Sequence, residues 1–212
     1  MSSATAVDAS PHGLGDVCAG TDLAWRLTQV PAHAACRGVF FNMLDDRAAA
    51  LGASTQTRYR DFFAVYRYNP LQLYPLADFL IRSVTLARLH FGTEDIGRGL
   101  REIQAAAFAT FGGTMMGRAV LGLLRPELPT LLRAMERTWA SGWLVNYSRF
   151  EIVEITPARI VTRFTDEYLY IEHSMVGGLL GIAELAGERV EPEVRLTTPF
   201  AGEVHLHRGR HP

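Results

Sequence analysis

The chain has 212 residues, with 48% hydrophobic and 20% charged, the balance of a folded domain rather than of a disordered chain. A net charge of −1 excludes the footprint of a nucleic-acid binder or of a protein held on an anionic membrane. Cys18 and Cys36 are the only cysteines, and their spacing fits neither a metal set nor a disulfide framework, so reduced thiols are expected.

Residues 1–20 lack a basic start and an apolar run, so they read as a disordered arm and not as a signal peptide. Residues 21–30 place Leu23, Leu27 and Val30 on one side of a short helix that Pro31 ends. Over 37–52, Val39, Phe40, Met43 and Leu44 recur at helical spacing, with Gly52 where a cap belongs. Residues 53–70, rich in aromatic side chains, are expected to form one further helix up to Asn69–Pro70. The clearest amphipathic helix runs over 74–92, with Pro75 in its first turn and Leu76, Phe79, Leu80, Val84 and Ala87 on its apolar face. A helix over 96–107 leads into a nearly all-apolar stretch at 105–124, where Gly113 and Gly117 stand one turn apart and Arg118 is the sole charge. That arginine and the Gly112–Gly113 pair argue for a buried helix rather than a membrane span. Another helix is expected over 128–144.

The period shortens after Tyr147. Phe150, Ile152 and Ile155, then Ile160, Val161 and Phe164, flank a tight Pro157–Ala158 connection and predict a hairpin. Residues 168–172 read as a third strand, 174–186 as a small-residue helix closed by Gly187, and 190–197 and 203–207 as two last strands. Helices first, then strands with one late helix, predict an α+β fold: an N-terminal helical layer packed on a small C-terminal antiparallel sheet. One domain over 21–208 and a tail at 209–212 are expected.

Recognised catalytic motifs are absent, and Gly177, Gly178 and Gly181 are off the dinucleotide pattern, so helix-to-sheet packing accounts for them. Asp45–Asp46 reads as a solvated helix face. His205 and His207 share a strand face but fall near an exposed tail, so no metal is expected. His173, at a strand-to-helix junction ahead of the glycines, is the candidate acid or base, and Arg118 the candidate anchor for a polar group.

Three blocks carry a resemblance: RGVFFNML (37–44), YPLADFLIRSVTLARLHFG (74–92) and AFATFGGTMMGRAVLGLL (107–124). They resemble the paralogous myxobacterial domain of unknown function DUF2378, over nearly the whole folded part. Against that family's pattern, His173 stands in place of a cysteine and Leu180 in place of a glutamate, which puts any family site at those positions in doubt. More distantly, the element order is similar to the fold of haem-nitric-oxide-binding domains, vinyl-reductase-type sensors and Bet3-like tethering proteins. That likeness implies a pocket between helices and sheet for haem, a hydrophobic small molecule or an acyl chain. It also implies a proximal histidine in the helix before the hairpin and a Tyr-x-Ser-x-Arg element in the strands. MERTWASGWL (135–144) has no histidine and VTRFTD (161–166) lacks the second element, so no cofactor is expected and ordinary haem is argued against.

The resulting expectation is a non-catalytic, small-molecule-binding or signalling domain with an apolar pocket. Phe108, Phe111, Met115, Met116, Trp139, Trp143 and Tyr74 would line it, with Arg118 or His173 fixing the ligand's polar end. The ligand would be apolar or amphipathic, and a signalling partner protein, a cytoplasmic location and no nucleic acid are expected. Two rivals remain: an enzyme of specialised metabolism using His173, and an interaction module that homodimerises through the glycine-bearing helix.

Overall fold

The computed structural model describes residues 17–18, 20–63, 67–113 and 127–209, with the backbone alone for 108–113. Its helical layer is α1 (Leu23–Gln29), α2 (Gly38–Ala50), α3 (Ala53–Phe62), α4 (Leu76–Phe91), α5 (Ile96–Gly113) and α6 (Leu128–Ala140). Apolar spacing explains α4 well: Leu76, Leu80, Val84 and Ala87 recur every three or four residues, and all four are buried. Each large side chain there contributes about 1.5–3 kcal/mol by leaving water. Gly92, at φ 81°, ends the helix in a conformation that other residues resist.

The sheet comes next in the chain. Strands β3 (Arg149–Ile155), β4 (Arg159–Thr165), β5 (Val190–Thr198) and β6 (Ala201–Arg208) pair antiparallel in the order β3-β4-β6-β5. Between β4 and β5 lie a π-helical turn (Ile171–Met175) and α7 (Val176–Leu185). Ile160, Phe164, Val204 and Leu206 point from the sheet into the same core as the helices. The outer face carries ion pairs such as Arg163–Glu203 at 2.7 Å. Pro192 is tolerated because β5 is an edge strand, where a missing N–H costs no ladder bond. The chain therefore has the expected α+β architecture.

Several elements differ from expectation. A two-stranded sheet of β1 (Ala35–Arg37) and β2 (Leu73–Pro75) was not legible, because three residues are too few to show a period. The helix expected over 53–70 stops at Phe62, and 67–69 are irregular, so propensity alone overextended it. The two helices expected around 96–124 are one continuous helix through Gly113, and the remainder of that stretch lies outside the described residues. Residues 168–172 are not a strand: they enter the π-helical turn, where the Tyr170 carbonyl accepts from the amides of His173, Ser174 and Met175. Gly177 and Gly181 of α7 face a helix rather than the sheet. A Cβ on Gly177 or Gly181 would strike the backbone carbonyl of Arg101 or Ala105 on α5. Among the described residues no helix is long and apolar enough to cross a membrane.

Candidate functional site

Between the helical layer and the sheet lies a cavity of about 40 Å3. Phe79, Met135, Trp139, Phe164, Met175 and Leu179 form most of its apolar wall. Cys36, Gln104, Tyr147 and Ser174 bring its few polar atoms. The volume is room for a molecule of a few heavy atoms, far below the roughly 300–1,000 Å3 of a drug-sized pocket.

The polar side of the wall is built by the connection after α6. Asn146 clamps it to β1: its Oδ1 accepts from Ala35 N at 2.8 Å and its Nδ2 donates to His33 O at 2.9 Å. This fixes Cys36 beside Val145 and turns Tyr147 and Ser148 inward. Trp139 Nε1 donates to Ser148 Oγ at 2.9 Å, and Tyr147 Oη donates to Glu167 Oε1 at 3.1 Å. Glu167, 0% exposed, also accepts from Leu169 N at 3.0 Å, while its Oε2 is buried without a partner. The chain reaches that position through Asp166 at φ 56°, a left-handed conformation that aspartate tolerates better than most residues.

Burial dominates the electrostatics of this cluster. It raises the Glu167 carboxyl to about 7, against hydrogen bonds from Leu169 and Tyr147, the nearby Ser148 hydroxyl and the charge of Arg26. Burial and then the neighbouring Glu167 push the Cys36 thiol and the Tyr147 phenol well above their ordinary values, so both are neutral.

Of the residues expected at a site, Trp139 lies in the cavity wall and His173 does not. The His173 ring is half-buried against Gly97 in the first turn of α5, with its Nδ1 unpartnered and its pKa lowered by desolvation. Trp143 is 39% exposed, beneath the Arg37 guanidinium at the surface. Tyr74 packs among Phe41 and Tyr68, and its hydroxyl accepts from Asn69 N. Phe108 and Phe111 fall where the backbone alone is described, and Met115, Met116 and Arg118 lie outside the described residues.

The buried arginines that are described are Arg26 and Arg82. Arg82 faces Asp45, whose carboxyl burial lifts to about 6, so the Asp45–Asp46 pair is not simply a solvated face. His205 and His207 share the outer sheet face, bonded to Glu203 and Glu193 at 3.1 Å each. Among the described residues no three His, Cys, Asp or Glu side chains gather closely enough to hold a metal. Glu167, Tyr147 and Cys36 were missed. A carboxylate just after a strand reads as solvent-facing, and only the third dimension buries it.

The family model described as a protein of unknown function, DUF2378, matches residues 29–197. The chain belongs to the DUF2378 family. No curated protein matches it. Among solved structures, this DUF2378 domain is similar to the Fe(II) unliganded H-NOX protein from K. algicida, with TM-score 0.62 and 11% identity, covering 82% of this chain and 97% of that one. It is likewise similar to the S. oneidensis H-NOX protein in the Fe(II)NO ligation state, with TM-score 0.63 and 14% identity, covering 81% and 99%. A third similar chain, with TM-score 0.53, 11% identity and coverage of 78% and 89%, comes from a study of haem redox potential and porphyrin distortion. At such identities the likeness shows the fold.

These neighbours correct the expectation of no cofactor. The solved proteins sharing the fold are described in Fe(II) states and through haem, so the argument against haem does not stand. That argument tested one ligand set, whereas thiolate, thioether and phenol oxygen also ligate haem iron. Of those donor types, Met135 and Met175 bring thioethers to the cavity wall. A porphyrin does not fit this cavity as packed: 40 Å3 is too small, and burial holds the Cys36 thiol protonated.

Proposed function

We propose that this DUF2378 domain is a sensory small-molecule-binding domain whose ligand occupies the cavity between helices and sheet. The observation that carries the reading is the placement of Trp139, Tyr147, Met135 and Met175 around one interior space at the junction of the two layers. The H-NOX neighbours, one of them described with NO on Fe(II), support a gas-sized, uncharged ligand class. The polar end is formed by Tyr147 and Cys36, with Glu167 directly behind them. A ligand there would press on α6 through Trp139 and on the π-helical turn through Ser174 and Met175, which is how occupancy would reach the surface.

The test uses protein labelled at its methionine methyl groups, recorded with an absorption spectrum of the protein as purified. Under xenon pressure the Met135 and Met175 methyl signals should shift saturably, and Leu179→Phe, which fills the cavity, should abolish the shift. A Soret band accompanying displaced Met135 and Met175 signals would identify haem as the natural occupant. Unmoved Met135 and Met175 signals in protein without a chromophore would overturn the reading.

A further inference from the structure

Among the described residues Glu167 belongs to no ion pair, yet it is their most deeply buried acid. Three of the side chains or backbone groups around it, Tyr147, Leu169 and Cys36, are cavity wall. It therefore stands one layer behind the space a ligand would fill. Its Oε1 is occupied by two donors, and among the described residues its Oε2 has none. An ionised carboxylate in that position depends on whatever polar medium the neighbouring cavity supplies. Replacing that medium by an apolar molecule makes the charged form costlier and leaves the protonated form almost unaffected.

We propose that Glu167 is the specificity-determining residue of the cavity: it admits small uncharged ligands in its protonated form, excludes anions in its ionised form, and takes up one proton from solvent when a ligand enters the ionised site. The inference rests on the reading of the cavity as the ligand site. The groups that face Glu167 leave it as the proton acceptor. Tyr147, from the α6–β3 connection, and Cys36, from β1, are held neutral, and Ser148 is uncharged. Among the described residues Arg26, from α1, is the cation acting on it, and it is committed to the carbonyls of Tyr168 and Pro199 and to the Asp22 carboxylate. Asp78, on α4, acts on Cys36 and adds a negative charge that further disfavours an anion. The raised carboxyl pKa, about 7, places the switch near neutrality.

The experiment is xenon titration followed at the Met135 and Met175 methyl groups at two pH values. Xenon affinity should fall about tenfold from about pH 5.5 to about pH 8.5, the loss expected for a one-unit rise of the Glu167 pKa on binding. Glu167→Gln, which mimics the protonated acid, should bind xenon equally at both. As a check that needs no variant, the carboxyl carbon of Glu167 should titrate at higher pH under xenon than without it. Absence of xenon binding at the lower pH would remove the cavity reading itself. Binding of equal strength at both pH values, or an unmoved carboxyl titration, would overturn the role of Glu167 and leave the cavity standing.

Discussion

At the scale of single residues, Glu167 concentrates the chemistry of the domain. Its pKa rises from 4.5 to about 7 on folding, so the folded state holds a proton at pH values where the unfolded chain has lost it. That stabilisation is fully present below about pH 4.5 and is lost as pH rises through about 7, amounting to about 3 kcal/mol over the window. Asp45, raised to about 6, acts in the same direction, and His173, lowered by desolvation, acts against it. Thermal unfolding across pH 5–8 should therefore show wild type weakening towards pH 8, with Glu167→Gln flatter and melting above it at pH 8. A variant that tracks wild type across the range would count against the buried-acid account. None of this was readable in the chain, because TDEYLY offers two adjacent carboxylates and nothing that says which one turns inward. The turn is made by the left-handed Asp166, and its consequence is visible only in three dimensions.

At the scale of elements, the pair α5–α7 is closed by backbone. Gly97, Arg101 and Ala105 on α5 meet His173, Gly177 and Gly181 across the interface, both sets at a spacing of four. Gly177→Ala would drive a methyl group into the Arg101 carbonyl, and denaturant unfolding should report a loss of about 1–3 kcal/mol from the forced shift. No loss would mean that the helices separate freely. Most of these elements were legible: α4, the β3–β4 hairpin and the last two strands follow from apolar period and turn residues. What escaped was short or cooperative. β1 and β2 exist because Cys36 and Tyr74 find each other from 38 residues apart, and local pattern carries no trace of such a pairing. The small residues of α7 were noticed, but their partner was misjudged, since glycine spacing states that something comes close and not what.

For the whole molecule, Arg26 ties the start of the described chain to its end. It is 2% exposed, donates to the carbonyls of Tyr168 and Pro199 at 3.3 Å each, and lies 4.0 Å above the Tyr170 ring. Removing it strands two carbonyls, so Arg26→Ala should cost about 2–3 kcal/mol in chemical denaturation. Arg26→Lys should recover only part, because a single ammonium cannot reproduce the fork of the guanidinium. Full recovery by lysine would show that charge alone matters. The general shape of this assembly was foreseeable from element order. The site was foreseeable only at Trp139, because a cavity is a property of surfaces from many segments and of no segment alone.

The backbone fit between α5 and α7 has a consequence for how the family can vary. The contact uses carbonyls of Arg101 and Ala105, which every amino acid owns, but needs the missing side chains of Gly177 and Gly181. The demand is therefore one-sided. Mutation can travel along α5 at Ala105 without disturbing the seam, whereas Arg101 also donates to the Glu172 carbonyl, and the facing places on α7 have almost no freedom to drift.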